Sequence, residues 1–346
     1  MADATQTGQN GQMASPASPP YPPQNASLGG VPTVKVDVPI TAIFLVLFIC
    51  GAVAHMTILQ VNLKRGHKFI MSGLIFGFCM ARITTCVLRI AWSTHPTHTP
   101  LAIAAQIFVS AGVVLLFIVN LIFTQRIIRA THPRVGWHRI GNNLLLAYYS
   151  SIVITLIMLI TCTVQSFYTL NRNTRRIDRD VQLYGQTWFT IAAFLPLPLI
   201  FAALVVPRQT RVEKFGSGRW RSKIVILLTA AVLLTLGSAF RAGTNYRTPR
   251  PRADPAWYHS KACFYIFNFV VEILVVALYA VVRVDLRFHV PNGAKGPGDY
   301  VAKPTSAFRV RSEEEVFDDK PVDEPRTDEE TGRLPPVSSV EPGQEG

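Results

Sequence analysis

Along most of the chain, apolar residues come in runs of about 19–25, broken by shorter polar stretches. At ~1.5 Å rise per residue, a helix of that length matches the ~30 Å hydrocarbon core of a bilayer. Seven such runs fall at approximately 38–61, 69–91, 101–123, 144–168, 184–206, 224–242 and 262–282. Lipid offers no hydrogen bonds to a backbone, and a helix satisfies its polar groups within its own segment. The pattern therefore predicts an all-α fold, a polytopic bundle of seven transmembrane helices. Trp92, Trp137, Trp188, Trp220 and Trp257 all lie near predicted helix ends, where amphipathic rings prefer the membrane interface. In the fifth run, "FLPLPLIF" places Pro196 and Pro198 near mid-span and predicts a kink, because proline removes a donor and clashes with the preceding turn. In the second, Gly73, Gly77 and Ala81 recur at four-residue spacing, a pattern that lets helix backbones approach closely.

Outside the runs the composition changes. Residues 1–37, with "ASPASPPYPPQNASLGG", hold too little apolar content to fold alone and show no signal-peptide core. Residues 289–346 are acidic and proline-bearing, with Ser312 followed by three glutamates. The domain plan is thus a disordered tail over 1–37, a seven-helix domain over 38–288 and a disordered acidic tail over 289–346. Asn25-Ala26-Ser27 is an N-glycosylation sequon on the first tail.

Charge refines this plan. The chain is 49% hydrophobic and 16% charged, with a net charge of +13. Residues 1–282 carry 25 Lys/Arg against 7 Asp/Glu, whereas 283–346 carry 9 against 14. The basic residues sit in short loops beside apolar runs, which fits contact with the lipid bilayer and argues against nucleic acid. Odd-numbered loops hold 13 Lys/Arg and even-numbered ones 8, so the amino terminus is expected outside and the carboxyl terminus in the cytoplasm. The basic loop 207–223 and the acidic tail are then the expected docking points for a cytosolic signalling partner.

Polar residues inside the runs are few: His55, Arg82, Arg89, Gln106, Asn120, Gln165, Arg241, Asn268 and Glu272. A charge near mid-membrane costs about 2.5–3.5 kcal/mol on insertion scales, so each predicts a partner, a wet cavity or a route to the interface. Arg89 and Arg241 lie close to predicted helix ends, where long side chains snorkel to the interface. Arg82 lies 13 residues beyond Phe69, which at ~1.5 Å per residue leaves it about 10 Å below the outer surface. Glu272, counted down from Ala262, lies about 15 Å below the same surface, within reach of an arginine side chain. Arg82 and Glu272 are therefore expected to form a buried charge pair. Arg89, Gln106, Asn120, Arg241 and Asn268 are the candidates for lining a cavity or touching a ligand. In the fourth run, hydroxyls including Thr163 and Ser166 either line a cavity or bond to neighbouring backbone.

No Walker loop, GxGxxG opening a helix or HExxH occurs, and the loop residues His95, His98 and His259 have no carboxylate or cysteine motif beside them. No catalysis, cofactor or metal is expected. The stretches "FGFCMARITTCVLRIAW", "NLIFTQRIIRATHP", "EKFGSGRWRSK", "FRAGTNYRTPRPRADPAWYHSKACFYIFNFVVE" and "RVDLRFHVPNG" resemble a fungal seven-transmembrane family labelled family-C-like G-protein-coupled receptors. More distantly, the arginine of the second run and "FYIFNF" are similar to the RTA-like lipid-translocating exporters. These resemblances imply a membrane protein that is receptor- or sensor-like, or alternatively a transporter or translocator of lipid or amphiphile.

Overall fold

The computed structural model describes residues 18–22, 25–207 and 212–300. Among them are seven helices long and apolar enough to cross a membrane: α1 (Val34–Lys64), α2 (Ile70–Thr94), α3 (Thr99–Thr131), α4 (Arg139–Tyr168), α5 (Arg172–Val205), α6 (Trp220–Tyr246) and α7 (Lys261–Val281). The protein is an all-α, multi-pass membrane protein. Its outer surface is apolar: Ile43, Val53, Ile154 and Phe201 are each more than 60% exposed, as lipid-facing side chains are. Burial ranks the helices. Over the most apolar stretch of each, 56% of α3 is buried against 17% of α1 and α4, so α3 is central and the other two peripheral. Helices α1, α3, α5 and α7 begin at one end of the bundle, here the amino-terminal face, and finish at the opposite face.

Three of the helices are irregular, each for a local reason. In α5 the helix breaks at Leu195 and restarts at Pro196, whose ring cannot follow the preceding turn; Leu195 N–H still donates to the Ile191 carbonyl at 2.8 Å. In α3 the break falls at Val113, after Gly112, where an added Cβ would meet the Cβ of Ala81 at 3.3 Å. In α7, Ile266–Val270 form a π turn, an insertion often found at functional sites. Opposite that turn α6 carries Gly237, at which a Cβ would lie 2.6 Å from the Phe267 carbonyl oxygen. Only glycine permits this approach of α6 to α7.

Several sequence expectations need correction. Helix α5 starts at Arg172, so the stretch 172–183 is helix and not loop; the Asn171 side chain caps it by accepting from Asn173 N–H at 2.9 Å. Trp188 consequently lies midway along α5, where its indole donates to Ser151 Oγ at 3.2 Å between α4 and α5 instead of marking a helix end. The first tail is not structureless throughout. Residues 18–22 and 25–33 cross the amino-terminal face, held by Tyr21 N–H to Phe167 O, Ala26 N–H to Arg250 O and Gly29 N–H to His259 O.

Residues 289–300 likewise fold onto the opposite face. Asn292 donates to Gly66 O at 2.7 Å and accepts from Lys68 N–H, and Tyr300 is 3% exposed against Phe215 and Trp137. Beside them Asn62 and Arg283 both bond Asp285, and the rings of His67 and His289 lie 4.5 Å apart. Ser312 and the acidic run fall outside the described residues.

His289 is expected to make this end of the protein sensitive to acid. Burial pushes the His289 pKa down, and the neighbouring His67 and Arg126 push the same way, with Asp285 opposing. A histidine with a lowered folded pKa adds stability in full above the free imidazole value of ~6.5, and that stability is lost as pH falls through the lowered one. Acidification from pH 7 toward 5 is expected to speed backbone hydrogen exchange at 62–68 and 284–292, and His289→Phe to flatten the dependence. An unchanged exchange rate in the wild type would exclude His289 as the titrating group.

Candidate functional site

Arg82, on α2, is wholly buried and donates through Nε and Nη2 to both oxygens of Glu272 on α7, at 2.6 and 2.8 Å. This forked contact is the strongest geometry available between a guanidinium and a carboxylate. The remaining donors turn to the break in α3, reaching Val109 O at 3.1 Å and Phe108 O at 3.5 Å. The interrupted helix thus supplies the carbonyls that complete the shell of the buried arginine. Phe78 and Phe269 flank the cation at 5.5 and 5.6 Å.

Arg241 on α6 meets the same carboxylate less closely, with Nη1 3.4 Å from Glu272 Oε1 and 3.2 Å from Asn268 Oδ1. The amide of Asn268, on the π turn, is fixed in turn by its bond to Phe264 O at 2.8 Å. Proximity to a helix end predicts that Arg241 snorkels. Instead it is 9% exposed and lines a cavity between the helices, one turn above the close approach of α6 to α7 at Gly237.

Arg89 also departs from the interfacial reading. Its Nη2 donates to Asp37 Oδ1 at 2.8 Å and to Gly29 O at 3.2 Å, and its Nε to the Tyr265 hydroxyl at 3.1 Å. The guanidinium stacks 4.1 Å from the Phe264 ring. Asp37 is 1% exposed and also accepts from Lys261 Nζ at 2.5 Å and Tyr265 at 2.8 Å. Asp37, Tyr265 and Lys261 escape a sequence reading because they lie at the edges of the apolar runs, where charge is ordinary. Their one visible signal is an acidic residue within a turn of a predicted helix start.

Above the central charges lies a cavity of about 410 Å³. Arg89, Gln106, Arg241 and Asn268 all line it, as do Thr163 and Ser166. Other hydroxyls of α4 bond their own backbone, Ser150 to Leu146 O and Thr161 to Ile157 O. Asn120 does not reach the cavity; it is wholly buried lower in the bundle and accepts a hydrogen bond from the Tyr279 hydroxyl. Leu156, Leu159, Ile160 and Leu183 form an apolar wall. Five arginines and one aspartate, Asp178, line the space. Tyr21, Pro22 and residues of the strap 25–30 line its outer end with His259 of the loop before α7, and exposed Asn25 is bridged to Pro251.

Residues 217–289 are similar to a family described as a protein of unknown function, DUF3112. The matched stretch spans α6 and α7 and so contains Arg241, Asn268 and Glu272. No curated protein and no solved structure matches the chain.

The three central charges are expected to respond unequally to substitution. Glu272→Gln leaves two buried guanidiniums without an anion, whereas Arg82→Met leaves Glu272 within reach of Arg241. Removing one member of a buried pair typically costs about 3–5 kcal/mol. The folded, monodisperse fraction after detergent extraction should therefore fall furthest for Glu272→Gln, with Arg82→Met/Glu272→Gln recovering part of the loss. Additive losses in the double variant would show that the groups act independently.

Proposed function

We propose that the protein is a receptor- or sensor-like membrane protein without catalytic activity, which takes its ligand into the cavity at the amino-terminal face. The carrying observation is the position of this cavity. Every residue lining it comes from the half of the bundle nearer that face, or from the strap and loops above it. Below, Phe123 stacks on Phe288 at 4.5 Å and meets Tyr279 edge-on at 5.7 Å, with Phe69 and Phe215 packed around them. These rings are at most 1% exposed. A closed floor beneath a polar, arginine-lined cavity suits a protein that registers a ligand better than one that conducts it.

The orientation that goes with this reading puts the amino-terminal face outside, in the plasma membrane, following the Lys/Arg asymmetry of the loops. A signalling partner would then meet the opposite face, along the loop 207–223 and the acidic tail. Residues 208–211 of that loop lie outside the described residues. The alternative, a translocator of lipid or amphiphile, draws support from the two-part α5 and the π turn of α7, both of which are places where helices bend during alternating access.

Reconstitution in proteoliposomes separates the two. The receptor-like reading expects no movement of a fluorescent phospholipid between leaflets above that of protein-free vesicles. Protein-dependent loss of leaflet asymmetry would establish the translocator in its place.

A further inference from the structure

We infer that the ligand is an amphiphile with a single anionic head, a carboxylate or a phosphate, seated on Arg241 at the cavity floor. The inference rests on the reading of the cavity as a ligand site, and begins from a charge count. Both oxygens of Glu272 are held by Arg82 at 2.6 and 2.8 Å, which leaves Arg241 the looser contact at 3.4 Å. One carboxylate cannot neutralise two guanidiniums, so the buried cluster carries a surplus positive charge. Asp37 is no remedy, being shared between Arg89 and Lys261 at 2.8 and 2.5 Å. Arg241 bonds the protein through Nη1 alone among the described residues, and its Nε and Nη2 donors remain for an acceptor in the cavity.

A neighbouring donor lies at the right height. Thr190 of α5 and Ser238 of α6 are in hydroxyl contact at 3.1 Å, which sets the two antiparallel helices in register. Counting ~1.5 Å per residue from that contact puts Gln186 within about 2 Å of the level of Arg241. Gln186 also lines the cavity. The same count places Asp178, the aspartate of the lining, about 13 Å nearer the mouth. The anion seat is therefore at the bottom, remote from the carboxylate above it.

The rest of the lining suits a ligand with an apolar part as well as a charge. Leu156, Leu159, Ile160 and Leu183 present an apolar wall. The cavity, at about 410 Å³, has room for more than an inorganic anion and its first waters. An alkyl or comparable apolar body fills that wall, while the head meets Arg241 in a charge-assisted hydrogen bond.

Binding of radiolabelled decyl phosphate to the full chain in nanodiscs, corrected for empty nanodiscs, tests this. Unlabelled decanoate and inorganic phosphate should both compete, the latter more weakly, and decanol should not. Arg241→Met is expected to weaken binding at least about tenfold, in line with loss of a hydrogen bond to a charged group. It should still fold, since it leaves the forked Arg82–Glu272 pair balanced. Arg241→Lys, keeping charge without the fork, should lie between. Competition by inorganic phosphate as strong as by decanoate would indicate a free anion as the source of the head and would overturn the amphiphile. Equal competition by decanol on the wild type would overturn the anionic head and leave the cavity a ligand site. Saturable binding by none of these probes would remove the ligand-site reading itself.

Discussion

Ionised groups inside a membrane bundle survive only when each finds its counter-charge and the donors left over find acceptors. The forked contact between Arg82 and Glu272 meets that requirement, and much of the architecture is arranged around it. It joins α2 to α7. Its spare donors require two free carbonyls, which the break in α3 supplies at Phe108 and Val109. Because Gly112 and Ala81 let α2 and α3 close to contact, the arginine reaches that break without stretching. Loss of the carboxylate would leave like charges facing each other in a low dielectric, where their repulsion is several times stronger than in water.

A second charge cluster sits one level higher. Arg89, Asp37, Lys261 and Tyr265 tie α1, α2 and the start of α7 together at the amino-terminal face. The two clusters differ in purpose. The upper one uses its groups on one another and on the strap at Gly29, and so anchors the cover of the cavity. The lower one leaves Arg241 underused and turned toward the cavity. The cavity is therefore confined to one half of the bundle, while aromatic rings stack around Phe123 in the other half and residues 289–300 fold onto its end.

The length and spacing of apolar runs are enough to count the helices and to place most of their ends, since hydrocarbon thickness leaves few alternatives. Axial rise is a property of any helix, so depth is legible too, and the matching depths of Arg82 and Glu272 follow from counting residues along each run. What depth cannot supply is rotation about the helix axis. Arg241 and Arg89 lie near helix ends, where a one-dimensional reading sends them to the interface; their actual directions depend on Gly237, on the π turn and on Asp37, contacts between segments far apart in the chain. Asn120 is the complementary case, polar and mid-helix like the cavity residues, yet held by the Tyr279 hydroxyl that α7 brings to that height. Amphipathic helix beyond the apolar stretch, as in residues 172–183, carries no hydropathy signal, and the strap formed by a proline-rich tail is held by backbone bonds that composition does not encode. Sequence alone thus determined a membrane-spanning bundle of seven and the levels of its charges. Tertiary packing alone decided which of those charges are spent on each other and which one is left facing an open space, because that choice is made by side-chain direction and helix proximity.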